Sequence, residues 1–95
     1  MPDKPGVYFF FDSKGEIIYI GKSSNLKNRL RSYFNLKNLL PKTLAMVNEA
    51  ARVTWQKTES EIEALINESL LIKKNKPRYN IASGFRSPQI RDFVL

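Results

Sequence analysis

Two tyrosines, two cations and one helical carboxylate are the side chains whose types and order could do chemistry. Tyr8 ends a Gly-Val-Tyr tripeptide and Tyr19 begins a Tyr-Ile-Gly tripeptide, on the two arms of a predicted hairpin. Lys22 follows at the end of a strand, where a lysine can hold phosphate beside the next helix N-terminus. Arg29 can clamp a phosphate oxygen through paired N–H donors, and Glu68 lies in the longest predicted helix. The ordered set indicates a site for metal-assisted cleavage of a phosphodiester.

Tyr33 and Asn80 extend this set, although each member also has an ordinary structural interpretation when taken alone. Tyrosines usually lie in the core or at its rim, and surface lysines and arginines commonly form weak ion pairs. An asparagine soon after a proline is usually a turn residue. The candidate catalytic residues are Tyr8, Tyr19, Lys22, Arg29, Tyr33, Glu68 and Asn80.

Glu68 is the most unusual of these residues. A helical wheel places it beside Leu65 and Ile72 at the border of an apolar stripe, where a carboxylate lies at the rim of a cleft or pairs with a cation. The chain has no cysteine and no histidine. Their absence excludes disulfides, thiolate metal sites and the commonest general base. Any metal must then bind oxygen ligands, which favours Mg²⁺ or Mn²⁺.

The net charge of +7 indicates an anionic partner, most often nucleic acid. Excess lysine that serves only solubility is the alternative. The basic residues form two clusters interleaved with aromatic residues, as in a surface that binds phosphates rather than reading bases. Lysines near a helix C-terminus also suit the helix dipole. The candidate DNA-binding residues are Lys22, Lys27, Arg29 and Arg31 near the first helix, and Lys73, Lys74, Lys76 and Arg78 near the end of the last.

The hairpin must bring the two tyrosines to one face if they act together. Aromatic and β-branched residues predict a strand over 6–11, a turn over 12–15 with Gly15 at positive φ, and a return strand over 16–20. A four-residue loop sets Tyr8 directly opposite Tyr19. Any loop of even length keeps them on one face, because side chains alternate with period two, whereas an odd-length loop separates them.

The next elements follow from apolar spacing and capping residues. The spacing predicts a first helix over 25–34, capped by Ser23 or Ser24. A second helix is predicted over 41–51, since proline suits the first helical turn, and an edge strand over 53–57. The predicted buried stripe of the first helix is Leu26, Leu30 and Phe34.

The longest helix is predicted from a capping-box pattern in residues 58–61 and runs to about Asn75. Pro77 stops it, and residues 78–81 are predicted to be extended and to fold back over the sheet. Residues 84–95 show no clear period. The predicted core stripe of this helix is Ile62, Leu65, Ile66 and Leu70, widened by Leu71 and Ile72.

Length and composition predict one folded domain spanning 1–95. No apolar run approaches the length of a membrane span. The polar start of the sequence carries no secretory signal, so a cytoplasmic location without a membrane partner is expected.

Five strings in this chain resemble the GIY-YIG nuclease superfamily, and within it the UvrC-type domains of bacterial nucleotide excision repair. The match covers about 5–80, with Val7 in place of the family's middle isoleucine, and residues 81–86 depart from the UvrC pattern. The strings are Pro-Gly-Val-Tyr (5–8), Ile-Ile-Tyr-Ile-Gly-Lys (17–22), Asn-Leu-Lys-Asn-Arg-Leu-Arg-Ser-Tyr-Phe (25–34), Glu-Ala-Leu-Ile-Asn-Glu (63–68) and Lys-Pro-Arg-Tyr-Asn (76–80).

The resemblance implies an α/β (α+β) fold, with a small three-stranded antiparallel sheet flanked by helices. It implies a DNA endonuclease that nicks one strand with one divalent metal ion, Mg²⁺ or Mn²⁺. The implied roles are Glu68 as metal ligand, Tyr8 and Tyr19 framing the attacking water, Arg29 and Lys22 on the scissile phosphate or leaving group, Tyr33 supporting that phosphate and Asn80 orienting the site.

The lack of histidine gives the implied mechanism one specific requirement. A tyrosine must serve as the general base, and its ordinary pKa is about 10. The hypothesis is that Lys22, Arg29 and the metal lower this pKa.

The UvrC-type resemblance implies incision on the 3′ side of a lesion, directed by excision-repair partners such as a UvrB-like protein. A mobile-element, homing or restriction nuclease is an alternative of the same class. A non-catalytic nucleic-acid-binding module and a protein-interaction domain with an acidic partner are alternatives from different classes.

Overall fold

A three-stranded antiparallel sheet lies between helices in this computed structural model, which describes residues 2–81. The strands pair in the order β2-β1-β3, and helices pack on both faces. Within residues 2–81, no helix is both long and apolar enough to cross a bilayer. The elements are β1 (Gly6–Phe11), β2 (Ile17–Ser23), α1 (Leu26–Ser32), a 3-10 turn (Leu36–Asn38), α2 (Pro41–Glu49), β3 (Arg52–Lys57), α3 (Glu61–Asn75) and α4 (Arg78–Ile81).

The core has two parts, one on each face of the sheet. Helices α1 and α2 cover the face that carries Tyr8, and α3 covers the face that carries Val7. This arrangement confirms the predicted fold class, including the edge position of β3. The buried residues under α1 and α2 are Tyr8, Phe10, Ile18, Leu26, Leu30, Tyr33 and Met46, and those under α3 are Val7, Phe9, Ile20 and Ala64.

The β1–β2 register differs from the predicted one. Tyr8 pairs with Gly21 and Phe10 with Tyr19, so the prediction that Tyr8 lies directly opposite Tyr19 was wrong. The loop is odd, because Phe11 pairs with Ile17, and the register then shifts by one residue at a β-bulge. The bulge compensates for the odd loop and returns both tyrosines to one face. Gly15 has φ of 84°, as predicted.

Helix α1 is shorter than predicted and has a different cap. The Asn25 side chain, not Ser23 or Ser24, accepts the N-cap hydrogen bond, from the backbone N–H of Asn28. The helix ends at Ser32, which turns Tyr33 into the core and leaves Phe34 72% exposed. The placement of Phe34 in the buried stripe was therefore wrong. Helix α2 begins at Pro41 as predicted.

Helix α3 presents a different face to the sheet than the one predicted from its large apolar residues. Its N-cap is Ser60, two residues after Thr58, the first residue of the predicted capping box. Ala64 and Glu68 are buried, because a small residue lets the helix approach the strands closely. The predicted stripe residues Ile62, Ile66 and Leu70 are instead exposed. Residues 78–81 form the short helix α4 rather than an extended segment.

Candidate active site

Tyr8 is the centre of a buried cluster on the α1 face of the sheet. Its hydroxyl is 2.7 Å from the hydroxyl of Tyr33, and the Nε–H of Arg29 donates to it at 3.2 Å. The Arg29 guanidinium also lies 5.6 Å from the centre of the Tyr33 ring. The helical spacing of Arg29 and Tyr33 brings both over β1, so three of the predicted residues meet at one oxygen atom.

Gly21 explains how the Tyr8 ring reaches this position. The two residues are paired across β1 and β2, and a Cβ atom at Gly21 would collide with the Tyr8 ring. The glycine of the Tyr-Ile-Gly string therefore leaves space for the phenol of the Gly-Val-Tyr string. This packing is a structural reason for the pairing of the two tripeptides.

Tyr19 lies beside Tyr8 but is the more accessible phenol. The two ring centres are 6.2 Å apart, and the Tyr19 ring also leans on Phe10. Tyr8 is fully buried, whereas Tyr19 is only partly buried and lines an open cleft. Of the two tyrosines, Tyr19 is the one positioned to contact solvent or a substrate.

Burial sets the acidity of these phenols. Desolvation raises the pKa of Tyr8 and that of Tyr19 well above the usual value, and the nearby Arg29 opposes this without offsetting it. The pKa of Arg29 is raised, chiefly by Tyr8 beside it. The positive charge of Arg29 therefore does not by itself produce a phenolate. That a metal ion lowers the pKa of a tyrosine stays a prediction.

Glu68 approaches the same region from the other layer, at the outer edge of β2. The backbone N–H of Lys22 lies close to its carboxylate and lowers its pKa. Glu68 is only 7% exposed, and burial raises its pKa more than the charge of Lys22 lowers it. Among residues 2–81, Glu68 forms no ion pair. A buried carboxylate without a cation partner fits a metal ligand.

The part of the chain that the structure describes offers no cluster of three or more acidic metal ligands. Among the described residues no second carboxylate affects the pKa of Glu68, so Glu68 would hold a cation as the single carboxylate. Mg²⁺ commonly binds in this way, with one or two carboxylates, several waters and the phosphate oxygens of its substrate. The donor set fits a hard divalent cation that is completed by the substrate.

Asn80 acts on the edge of β2 rather than toward the cleft. Its Oδ1 accepts from the backbone N–H of Ile20 at 2.8 Å, and its Nδ2 donates to the carbonyl of Ile20 at 2.9 Å. The side chain thus pairs with Ile20 as a neighbouring strand would, one step along the edge from the Glu68–Lys22 contact. This geometry fixes the edge that carries Tyr19.

Replacing Asn80 with alanine should lower the free energy of unfolding by about 2 kcal/mol or more, because two buried backbone groups of Ile20 lose their partners. Urea unfolding of wild type and variant measures the change. Asn75→Ala is the matched control, since the Asn75 side chain makes one exposed hydrogen bond to Leu71. Equal losses in the two variants would contradict this role for Asn80.

The two predicted basic clusters lie at opposite ends of β2. Lys22 lies near the C-terminal end of β2, before α1, whereas Lys76 and Arg78 line a hollow beside the hairpin residues Gly15 to Ile18. Five residues of strand put about 16 Å between these ends. Arg78 also pairs with Asp12 and Glu49, so its charge is largely neutralised. The exposed cations around the tyrosine cluster are Lys22, Lys27, Arg29 and Arg31.

A cleft of about 210 Å³ next to the tyrosines was not predicted from the sequence. It lies between α1, the 3-10 turn, the start of α2 and Tyr79, and it shares Tyr19, Arg29 and Tyr33 with the site. The segment 35–40 that forms one wall has no periodic pattern, so no sequence signal indicates it. The other lining residues include Leu39, Leu40, Lys42, Thr43 and Met46.

The chain is similar in sequence and in fold to proteins of one known family. A family model described as the UvrC-like GIY-YIG domain matches residues 4–81. The UvrABC system protein C of Carboxydothermus hydrogenoformans is 55% identical over 82 residues, which are 85% of this chain and 14% of that protein. The corresponding protein of Clostridium acetobutylicum is 57% identical over 82 residues, covering 85% of this chain and 13% of that protein. The chain thus spans about one seventh of these relatives.

A solved structure agrees in fold. The GIY-YIG N-terminal endonuclease domain of UvrC from Thermotoga maritima, bound to its catalytic divalent cation magnesium, superposes with a TM-score of 0.77. The two sequences are 44% identical, and the match covers 84% of this chain and 86% of that one. These findings confirm the resemblance stated from the sequence: the chain belongs to the family of UvrC-like GIY-YIG domains.

Proposed function

We propose that this domain is a divalent-metal-dependent endonuclease that hydrolyses a phosphodiester bond in one strand of DNA. The observation that carries the proposal is Glu68, a buried carboxylate without an ion-pair partner in residues 2–81, beside Lys22 and close to the tyrosine cluster. The Thermotoga domain of the same fold binds magnesium as its catalytic cation, which supports Mg²⁺ or Mn²⁺ here.

The position of each candidate site residue supports a specific role in this proposal. Glu68 would hold the cation. The cation would supply positive charge that stabilises the phosphate and activates the attacking water. Arg29 and Lys22 would bind the scissile phosphate or its leaving oxygen. Tyr19 faces the cleft and would orient the attacking water and accept its proton. Tyr8 is fully buried and, with Tyr33, fixes the Arg29 guanidinium.

Nucleotide excision repair is the cellular role that the relatives support. Those named above are UvrABC system proteins, which favours a UvrC-like incision on the 3′ side of a lesion in bacterial cytoplasm. Directed cutting would need excision-repair partners, including a UvrB-like protein. The relatives give no support to a mobile-element, homing or restriction nuclease, or to a module that only binds nucleic acid.

Nicking of supercoiled plasmid by the purified chain tests the activity. We expect conversion to open circles with Mn²⁺ or Mg²⁺, and none after chelation by EDTA. Nicking that continues in excess EDTA would overturn the metal dependence. Salt-sensitive DNA binding without nicking, under conditions where the Thermotoga domain nicks, would favour a module that only binds nucleic acid.

The pH dependence of nicking tests the role of Tyr19. Because burial raises its pKa, the base form is scarce at neutral pH, and the rate should rise with pH up to tenfold per unit into the alkaline range. The Tyr19→Phe variant should lose this rise, whereas Tyr8→Phe should keep it at a lower rate. Initial rates from pH 6 to 10 provide the measurement. An unchanged profile in Tyr19→Phe would remove Tyr19 as the base.

A further inference from the structure

The cleft beside the tyrosines has a wall that the proposed chemistry does not use. The lining residues on the α2 side include Leu39, Thr43 and Met46, and none of them has a role at the metal or the phosphate. The cleft nevertheless shares Tyr19 and Arg29 with the active site. A group bound there would therefore belong to the part of the substrate nearest the cleaved bond.

We propose that this cleft binds one unstacked nucleobase, that of a nucleotide adjacent to the scissile phosphate. The choice of DNA as the ligand rests on the proposed function. At about 210 Å³ the cleft is smaller than the roughly 300–1,000 Å³ of a pocket for a drug-sized ligand. It has room for one small planar group and not for a base pair.

The chemistry of the walls suits a heterocyclic base. Leu39, Met46 and the ring of Tyr79 provide apolar surface for the faces of the base, and Asn38 and Thr43 bring polar groups that can meet its edge. Contact between a base and such a surface is largely independent of sequence, because every base has a π-face. The site would thus hold the strand without selecting a sequence.

Charge at the cleft favours a nucleotide over an apolar side chain of a partner protein. Lys42 and Arg29 both line the opening, where the phosphates flanking a bound base would lie. Leu40 lines the same opening and is 73% exposed. An apolar side chain held in solvent next to a basic groove is the kind of group that separates stacked bases.

Binding of two hexanucleotides in EDTA tests the proposal without requiring cleavage. One probe is single-stranded hexathymidylate, and the other is a hexamer of abasic nucleotides with the same charge. The wild-type chain should bind the thymidylate about tenfold more tightly, a typical effect of stacking one base. Equal affinities would overturn the proposal, because they would mean that only phosphates are bound.

Two variants place the effect in the cleft. Thr43→Phe should fill it and Leu40→Ala should remove its apolar lip, and each should reduce the preference for bases at least threefold. Leu36→Ala, a half-exposed leucine in the same segment that does not line the cleft, should keep the preference. Amide NMR spectra establish that each variant is folded.

Three results separate the possible failures. A base preference that survives both cleft variants would overturn the location, even if nicking is normal. Absence of nicking together with a base preference lost in the cleft variants would overturn the proposed activity and uphold the base site. A loss of preference in Leu36→Ala equal to that in Leu40→Ala would contradict a specific cleft.

Discussion

Replacing Glu68 with glutamine should abolish metal-dependent nicking and, at the same time, make the domain more stable at pH 7. Loss of the single carboxylate ligand should reduce the nicking rate by at least about 10³-fold, similar to losing other fixed groups that stabilise charge. Glutamine keeps the size of the side chain and can still accept a hydrogen bond through its amide oxygen. The loss can therefore be assigned to charge rather than to packing.

The gain in stability follows from the raised pKa of Glu68. An acid whose pKa is higher in the folded state opposes folding wherever it is ionised, so the charge destabilises the domain above that pKa. At pH values below the ordinary pKa of a glutamate the carboxyl is protonated in both states, and the penalty vanishes. The variant should gain about 0.5–2 kcal/mol at pH 7 and lose this advantage as the pH falls below about 4.

Thermal unfolding with and without Mg²⁺ completes the test of Glu68. A cation at 100 times its Kd should stabilise wild type by about 2.7 kcal/mol, and the Glu68→Gln variant should not respond. Glu61→Gln is the control, since Glu61 is exposed in the first turn of the same helix. A Glu68→Gln variant that is less stable at pH 7, or that still responds to Mg²⁺, would show that Glu68 is a structural acid.

Arg29→Lys should lower the nicking rate by about 10²–10³-fold although it keeps the positive charge. Lysine lacks the Nε–H that donates to Tyr8 and the planar fork that can hold two phosphate oxygens. The main effect should be on kcat, because the guanidinium stabilises the negative charge that develops on the phosphate or the leaving oxygen in the transition state. Single-turnover nicking rates at saturating protein measure it.

The Arg31→Ala variant is the control that distinguishes a specific contact of Arg29 with the scissile phosphate from general electrostatic attraction of DNA. Arg31 is exposed on the same helix, and within residues 2–81 its side chain makes no hydrogen bond or ion pair. Its loss should weaken DNA binding and reduce the salt slope by about one phosphate contact, with little effect at saturating protein. Equal rate losses in Arg29→Lys and Arg31→Ala would mean that Arg29 contributes only non-specific charge.

The fold class and the candidate residues of the site could be predicted from the sequence because both depend on local signals. Strand composition, the helical spacing of Arg29 and Tyr33, and Ser60 near the start of the longest helix are all short-range features. Once α1 packs on β1, Arg29 and Tyr33 reach the hydroxyl of Tyr8. The roles of the predicted site residues stay predictions, whereas the structure shows the contacts between them.

The errors arose where tertiary packing decides which local pattern prevails. The apolar spacing of α3 favoured Ile62, Ile66 and Leu70, but close approach to the sheet selects the face with the small Ala64. The same rotation buries Glu68 at the edge of β2. The helix boundary at Ser32, which exposes Phe34, and the cleft wall in segment 35–40 carry no periodic signal at all.

The bulge in β2 makes the hairpin intolerant of single insertions and deletions. Five residues connect Phe11 to Ile17, and only the extra residue near Ile18 restores the side on which Tyr19 lies. Lengthening or shortening this loop by one residue, without a matching change at the bulge, would move Tyr19 to the α3 face and away from the other candidate catalytic residues. Loop and bulge therefore act as one structural unit: changing the loop length by two residues would keep Tyr19 on its face, and a graft of this hairpin must carry both parts.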